Sequence, residues 1–343
     1  MTVDPSPTAP RHISARGFPV ERSRRERALF LLHYALLAPS SHNSQPWKFR
    51  VHDEGVDIEI DDSRWLEVAD ADCRELYVSV GCALENLLVA AAYFQEPVDV
   101  AYFPDSDQPE LAARVRVGSG EVDDGLLRPR TLFEAIEYRH TNRRPYRDTA
   151  VIAQHRTALA DHCAEEGVEL HFVDDLLMLE TIGRLIQRAD VRQFHDPRWR
   201  RELARWIGDG AFGDSWLRAK IGKFVVTYFD LGDRQARDDG ALMRNTPTVG
   251  IVTTVDNDPV DQIRAGQAFE RVWLTASSLD LALHPMNQVL QLPTTRRSLN
   301  RVAGLGIRYP QMLFRLGYAA SDRRDTPRRP LSEAISEVSN TKR

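Results

Sequence analysis

Cysteine is scarce in this chain of 343 residues. Cys73, Cys82 and Cys163 form neither a CxxC pair nor an even set, which argues against a zinc cluster and against a disulfide framework. Positive charge is not in excess either, because 45 basic residues face 50 acidic ones and the net charge is −5. A general nucleic-acid binder would be basic. We therefore expect a cytoplasmic protein with no nucleic-acid partner.

Long hydrophobic runs are also missing. The most apolar stretch, 77–94, is interrupted by Glu85 and Asn86 and is shorter than the roughly 20 residues of a membrane span. The first thirty residues lack the apolar segment of a signal peptide, and residues 1–24 have the composition of a flexible arm. We expect no membrane partner, no secretion, and a buried helix at 77–94.

Several motifs that identify common enzyme classes are absent. The chain has no GxxxxGK[ST] and no GxSxG, which weakens a P-loop enzyme and an α/β hydrolase. Its ten histidines form no HxxxH or HExxH pattern. No metal site is therefore predicted.

The first informative segment is a polar loop between a helix and a strand. Leucines at helical spacing predict a helix from Arg25 that ends before Pro39. The tract Pro39-Ser-Ser-His-Asn-Ser-Gln-Pro-Trp47 follows, and two alternating segments around Gly55 predict a hairpin. The composition of the tract fits a ligand-binding loop and an ordinary polar loop alike.

An internal repeat links two apolar helices 185 residues apart in the sequence. The segments that begin at Gly81 and Gly266 share Gly, Ala, Glu and a final Ala at matching positions. Chance similarity between two buried helices and an ancient duplication both explain the match.

The rest of the chain alternates strands with helices without a regular βαβ pattern. Strand-like runs at 98–103, 114–117, 169–173 and 249–255 are interleaved with helical segments, which predicts an α+β protein. The segment 197–224 combines tryptophans with Gly208, Gly210 and Gly213. It fits a helix pair that acts as a lid over a pocket and, equally, a peripheral helical hairpin.

Two further segments carry candidate chemistry. Arg139-His-Thr-Asn-Arg-Arg-Pro-Tyr146 offers three guanidinium groups, which suit a phosphate or carboxylate, although a solvated charged loop has the same composition. At 283–288, Pro285 is expected to end the second repeated helix and to leave the following backbone amides free for a ligand.

Taken together, these segments resemble the flavin-dependent nitroreductase family, specifically its Acg-like branch in actinobacteria. The tract 39–47 matches almost letter for letter the family's Pro-Ser-Ser-x-Asn-x-Gln-Pro-Trp element, which reaches the flavin from the partner subunit. The matching cofactor-binding residues are Pro39, Ser40, Ser41, Asn43 and Gln45.

The other three motifs of the family occur in the second half of the chain. The tract after Arg139 resembles the Arg-x-Ser-x-Lys/Arg element that holds the FMN phosphate and ribityl chain, and the residues carried over are Arg139, His140, Thr141 and Arg143. A turn that lays a backbone amide against flavin N5 resembles Pro285, Met286, Asn287 and Gln288. The late arginine that completes the phosphate site resembles Arg328, although Thr326 stands where many relatives have a lysine.

The resemblance implies a fused pseudo-dimer. In the family one FMN site needs elements from two subunits, whereas both sets lie here in one polypeptide. The expectation is a nitroreductase-like α+β fold with a mixed sheet flanked by helices and two unequal halves, 25–128 and 129–335. The second half would contain the lid segment, about 197–224, and the FMN-phosphate tail. One FMN per chain and a monomeric protein follow.

The implied function is flavin chemistry, with no catalytic side chain required. Arg139 and Arg328 would bind the phosphate, Thr141 the phosphate or ribityl chain, and Arg143 the negative charge of reduced flavin. Asn43 and the amides near Asn287 would contact the ring. NAD(P)H would be the donor and a nitroaromatic or quinone the acceptor. The alternatives are a non-enzymatic FMN-binding or storage protein whose lid occludes the flavin, and a relic that has lost FMN.

Overall fold

The computed structural model describes residues 12–213, 216–228, 230–322 and 326–336. The helices of this part of the chain are α1 (Arg24–Ala35), α2 (Arg74–Tyr93), α3 (Arg130–Ile136), α4 (Ala153–His162), α5 (Leu176–His195), α6 (Pro197–Gly208), α7 (Trp216–Tyr228), α8 (Gly232–Arg244), α9 (Pro259–Ser278), α10 (Gln288–Gln291), α11 (Pro293–Val302) and α12 (Leu331–Ala334). The strands are β1 (Trp47–His52), β2 (Gly55–Ile60), β3 (Val98–Tyr102), β4 (Leu111–Val117), β5 (Val168–Val173), β6 (Thr248–Thr254), β7 (Ala282–Pro285) and β8 (Tyr309–Gly317).

The predicted first helix and hairpin are present. α1 begins with a capping box, in which the Ser23 hydroxyl accepts from the Glu26 amide and the Glu26 carboxylate accepts from the Ser23 amide. It ends just before Pro39, as the sequence predicts. β1 and β2 then pair in register from Trp47 opposite Ile60 to His52 opposite Gly55. The tight turn between these strands requires them to be antiparallel.

The strands form two four-stranded sheets with the same connectivity. The first sheet has the order β1-β2-β4-β3 and the second the order β5-β6-β8-β7. In both, a long helix connects the second strand to the third: α2 in the first sheet and α9 in the second. The second sheet differs in that α5 to α8 are inserted between its first two strands. This shared order supports the repeat seen in the sequence.

The helices α2 and α9 cross at the centre of the molecule. Gly81 of α2 and Gly266 of α9 face each other, and a Cβ built on either glycine would lie 3.0 Å from the Cα of the other. One apolar core extends from this crossing through α1 and α3 into both sheets. By length and composition α2 could cross a membrane, but here it is the central buried helix, as expected.

Two predictions require correction in detail. The α+β class is confirmed, but the strands are divided between two antiparallel sheets instead of forming one mixed sheet. Within the described residues, parallel pairing is limited to an isolated bridge between Phe49 and Ile335. In addition, the segment before the 285–288 turn is the strand β7, not the end of the repeated helix. Asp280 adopts φ of 55°, which ends α9 and reverses the chain, so the chain re-enters the sheet before Pro285.

Candidate functional site

The loop after α1 is held in an unusual backbone conformation. His42, Asn43 and Gln45 have φ values of 51°, 53° and 52°, in the left-handed region that non-glycine residues rarely occupy. The Gln45 amide donates to the Ser40 hydroxyl at 2.9 Å, which closes the loop on itself. Such conformations persist only where the surroundings enforce them, and they are concentrated at functional sites.

Side chains of this loop contact distant parts of the chain. The Ser41 hydroxyl donates to the buried carboxylate of Glu75 on α2. That carboxylate also accepts from Gln291 of α10, at 3.0 and 3.1 Å. The Gln45 amide oxygen accepts from the backbone of Arg329 at 2.9 Å. The loop is therefore connected both to the helix after the 285–288 turn and to the C-terminal tail.

Asn43 is the meeting point of three segments. Its side-chain amide donates to the carbonyl of Ala211, beyond the end of α6, and to the carbonyl of Pro327 in the tail, both at 2.8 Å. Its side-chain oxygen accepts from Arg328 Nη1 at 3.0 Å. Asn43 thus joins the loop, the α6–α7 segment and the tail.

Arg139 and Arg328 converge on a single acceptor. Arg139 Nη2 donates to the carbonyl oxygen of Leu37 at 2.9 Å, and Arg328 Nη2 donates to the same oxygen at 3.2 Å. Arg139 is 4% exposed and Arg328 is 5% exposed. The Arg139 guanidinium also lies 4.5 Å from the ring centre of Trp273. Two positive charges, 189 positions apart in the sequence, are therefore buried together at the end of α1.

A buried carboxylate lies beside these arginines. Glu270 of α9 is fully buried, and its Oε1 lies 3.1 Å from Arg139 Nε. Burial raises the pKa of Glu270 to about 7, against the opposing effect of the Arg139 charge. A carboxyl group that ionises near neutral pH offsets the charge of Arg139 only partly. The cluster therefore suits a further anion.

The tract that follows Arg139 is docked on the second sheet. The buried Asn142 donates from its amide to the carbonyl of Leu283 at 3.0 Å and from its side chain to the carbonyl of Ala320 at 2.9 Å. Arg315 of β8 donates to the carbonyl of Asn142 at 3.4 Å and lies 4.2 Å from the ring centre of Tyr146. These contacts fix the direction of the tract.

The predicted residues of this tract differ in their surroundings. Thr141 is partly buried, and the His140 Nδ1 lies 2.9 Å from the carbonyl of Tyr138. Arg143 is exposed, and its backbone amide donates to Asp322 at 3.3 Å. Arg143 and Arg139 therefore belong to different environments, one open to solvent and one buried.

The turn 285–288 is rigidly held. The amide of the buried Met286 donates to the carbonyl of Leu313 at 2.8 Å, and the Asn287 side-chain oxygen accepts from the Leu313 amide at 3.0 Å. Gln288 begins α10, so its own amide has no acceptor within that helix. The Gln288 side chain donates to Asp239 of α8 at 2.9 Å. These contacts fix the positions of the Asn287 and Gln288 backbone amides.

The segment predicted as a lid is a helix pair that rests on the first half. Glu202 of α6 accepts from the amides of Val68 and Ala69 at 3.0 and 2.9 Å. Trp206 is buried beside Leu66 in a small apolar cluster. The side chain of Trp216, which the lid prediction also used, lies outside the described residues.

The predicted residues form two neighbouring groups. The first group contains Asn43, Arg139 and Arg328, which are linked by the hydrogen bonds given above. The second is the turn at 285–288, which reaches the first through Gln291, Glu75 and Ser41. A separate open groove of about 840 Å3, between α5 and α8, contains none of the predicted residues.

Sequence reasoning missed several residues that build this region. Glu270 occurs in the repeat, but its role depends on Arg139, which is 131 positions away. Arg315 lies in no motif and Asn142 is an unassigned position of the tract 139–146, so only burial and hydrogen bonds reveal what they hold in place. The role of Arg329 was also missed: its guanidinium donates to the carbonyl of Gln45 at 3.2 Å and to Asp61 at 3.4 Å, which ties the tail to the loop.

The chain is similar to mycobacterial proteins over most of its length. Rv3131 of Mycobacterium tuberculosis H37Rv, named as a candidate NAD(P)H nitroreductase, is 31% identical over 321 residues, which cover 89% of this chain and 90% of Rv3131. Acg of the same organism, with the same name for its activity, is 25% identical over 313 residues, covering 88% of this chain and 92% of Acg. No family model matches the chain.

Solved structures show a weaker likeness. A nitroreductase with bound FMN from Desulfitobacterium hafniense has a TM-score of 0.40 and 12% identity, covering 61% of this chain and 98% of that one. The 31% identity to Rv3131, over most of both chains, is sufficient by itself to assign the family. The chain belongs to the nitroreductase family, in the branch that includes Acg.

Proposed function

We propose that this chain binds one FMN and uses NAD(P)H to reduce a small nitroaromatic or quinone-like acceptor. The donor follows from the names of the mycobacterial relatives. The cofactor follows from the motif residues and from the chemistry of the cluster around Arg139.

The convergence of Arg139 and Arg328 on the Leu37 carbonyl is the observation that carries this proposal. Two guanidinium groups buried side by side repel each other, and a bound anion would offset this repulsion. Guanidinium groups bind phosphate oxygens in a planar, bidentate geometry. The residues present therefore fit the phosphate end of FMN, with Arg139, Arg328 and Thr141 as its ligands.

The remaining motif residues fit the ring end of the cofactor. FMN supplies the hydride chemistry when bound, and the protein supplies position and charge. Asn287 and Gln288 offer backbone amides from a turn that Leu313 holds in place. The exposed guanidinium of Arg143 is assigned to the negative charge that develops on the reduced ring. Ser40, Ser41 and the strained loop form the wall contributed by the first half.

A second function has one observation in its favour. The α6–α7 segment contacts the loop through the hydrogen bond between Asn43 and the Ala211 carbonyl. If this segment covers the ring face, a nicotinamide cannot stack on the flavin. The protein would then bind or store FMN without steady turnover.

The decisive experiment is spectroscopic. The native protein should show a flavin absorption band, and extraction should give one FMN per chain. Anaerobic addition of NADPH should bleach the band, and a quinone should restore it. A protein that stays colourless after reconstitution with FMN contradicts the proposal. A flavin that dithionite bleaches and NADPH does not supports the storage function.

The assembly also follows from the proposal. Both groups of site residues lie in one chain, so the protein should sediment as a monomer that retains FMN on dilution. An obligate dimer that loses FMN on dilution would show that the site is formed between chains.

A further inference from the structure

Two buried carboxylates occupy equivalent places in the repeat. Glu85 follows Gly81 by four residues on α2, and Glu270 follows Gly266 by four residues on α9. Both side chains are 0% exposed. Because the glycines meet at the helix crossing, each carboxylate lies one helical turn from the centre of the molecule.

Neighbouring side chains compensate the negative charge of Glu85. Arg128 donates to its two oxygens at 2.8 and 3.1 Å, and Arg271 donates to Oε2 at 2.7 Å. Gln267 adds a hydrogen bond at 3.2 Å. The charge of Arg128, followed by that of Arg271, lowers the pKa of Glu85 in spite of its burial. Glu85 is therefore an anion at neutral pH.

The surroundings of Glu270 differ. Arg139 Nε lies 3.1 Å away, but neither carboxylate oxygen of Glu270 accepts a well-aligned hydrogen bond from the described residues. The position on α2 that corresponds to Gln267 holds Cys82, whose thiol donates to the carbonyl of Gly266 instead. Glu270 thus lacks most of the contacts that stabilise the charge of Glu85.

The charge balance of the cluster depends on the state of Glu270. Arg139 and Arg328 carry two positive charges. The phosphate of FMN carries about two negative charges above its second pKa of about 6. A dianionic phosphate beside Arg139 would compete with Glu270 for this guanidinium and would favour the neutral form of Glu270.

We propose that Glu270 sets the phosphate affinity of this site. It offsets the charge of Arg139 in the free protein and takes up one proton from solvent on a carboxylate oxygen when a dianionic phosphate binds. This inference rests on the proposed assignment of the two arginines to the FMN phosphate. It makes FMN binding depend on pH and favours the phosphorylated flavin most strongly below neutral pH.

The groups that face Glu270 are consistent with this role. Arg139 follows α3, Arg328 lies in the tail, and Glu85 and Cys82 lie on α2. The arginines favour the ionised form of Glu270, whereas burial and the charge of Glu85 favour the protonated form, and the pKa of about 7 reflects the sum. An added anion raises this pKa further.

The first test compares dissociation constants for the wild-type chain and Glu270→Gln at pH 6 and pH 8. The neutral amide mimics protonated Glu270, so the two proteins should bind FMN equally within about twofold at pH 6. At pH 8 the variant should bind about tenfold more tightly, since one pH unit above a pKa corresponds to a factor of ten. Both proteins meet the same ionic forms of FMN at each pH. The ionisation of FMN therefore cancels in the ratio of the wild-type dissociation constant to that of the variant.

Riboflavin and a surface variant provide the controls. Riboflavin lacks the phosphate, so the ratio for riboflavin should stay near one at both pH values. Glu134→Gln, which removes an exposed charge on α3, should behave as wild type throughout. A ratio for FMN that does not change with pH, or one that changes equally for riboflavin, overturns the role of Glu270.

The second test needs no variant. Calorimetry of FMN binding at pH 8 in two buffers with different ionisation heats measures the protons exchanged. At pH 8 Glu270 is mainly ionised in the free protein, and the FMN phosphate is already dianionic. The wild-type chain should therefore take up close to one proton per FMN bound, at Glu270. Tight FMN binding with no proton uptake overturns the inference and leaves the proposed function intact. Failure to bind FMN even at pH 6 overturns the proposed function itself.

Discussion

Gly81 and Gly266 leave no room for a side chain between α2 and α9. A Cβ on Gly81 would lie 2.1 Å from the carbonyl oxygen of Ile263, and a Cβ on Gly266 would lie 2.1 Å from the carbonyl oxygen of Val78. Each clashing carbonyl belongs to the residue three positions before the opposite glycine. The crossing is thus closely symmetric, and backbone atoms form both sides of it.

The first prediction concerns this crossing. Gly81→Ala should destabilise the protein by about 3 kcal/mol or more, because overpacking against rigid backbone forces the helices apart. Gly183→Ala on α5 is the control, since its Cβ would contact side-chain atoms of Met243, the nearest at 3.3 Å, and no backbone atom within 4 Å. Urea denaturation should show a change of about 1 kcal/mol or less for the control. Equal effects of both substitutions would contradict the close contact.

The second prediction concerns the compensated carboxylate. Glu85→Gln should destabilise the fold by about 3 to 5 kcal/mol at pH 7, because the buried Arg128 and Arg271 lose the fully buried anion that they share and keep only their partly exposed partners, Asp123 and Glu165. The pKa of Glu85 is lowered in the folded state. Its stabilisation is therefore complete above its unfolded pKa, about 4.3, and is lost as the pH falls through the lower folded value.

Urea denaturation from pH 7 down to pH 3 checks this prediction. The difference between wild type and Glu85→Gln should shrink toward pH 3. The exposed pair of Arg130 and Glu134 gives the control, and Glu134→Gln should change little at any pH. A constant difference between the two proteins over this range would refute the account of Glu85.

The third prediction concerns the phosphate ligands. Arg139→Ala should weaken FMN binding by about 1.5 to 3 kcal/mol, the contribution of a hydrogen bond to a charged group. Binding is best measured by calorimetry at pH 6, where Glu270 is mainly neutral and does not add an uncompensated charge. Riboflavin affinity should be almost unchanged. A variant that binds FMN as well as the wild type does would show that Arg139 does not bind the phosphate.

The fourth prediction concerns the α6–α7 segment. Glu202 holds this segment on the first half through the amides of Val68 and Ala69. Glu202→Ala should release it and increase the rate at which NADPH bleaches the flavin anaerobically, whereas the rate with dithionite should change much less. Arg198→Ala, an exposed change on the same helix, is the control. Rapid bleaching of the wild type that Glu202→Ala leaves unchanged indicates an open site.

Local patterns predicted the fold well where the chain is regular. The leucine spacing before Pro39, the hairpin at Gly55 and the glycine-centred repeat all correspond to observed elements. β7 was missed because a strand of four residues has no measurable periodicity. The division into two sheets was missed because strand order depends on contacts between distant segments.

The candidate site was predictable only as separate motifs. The sequence identified Arg139 and Arg328 but not their shared acceptor, the Leu37 carbonyl, which depends on where α1 ends in space. The sequence showed Glu270 only as one of the identical positions of the internal repeat. Its environment, and the contrast with Glu85, depends on arginines that come from other segments. The sequence motifs therefore did not predict which site residues are buried or which charged residues from distant segments surround them.

The placement of α2 and α9 in one polypeptide has a genetic consequence. In a homodimer, one codon specifies both copies of a residue near the two-fold axis, so any substitution there occurs twice. Here separate codons specify Glu85 and Glu270. A mutation can therefore change Glu270 while Glu85, with its partners Arg128 and Arg271, is inherited unchanged.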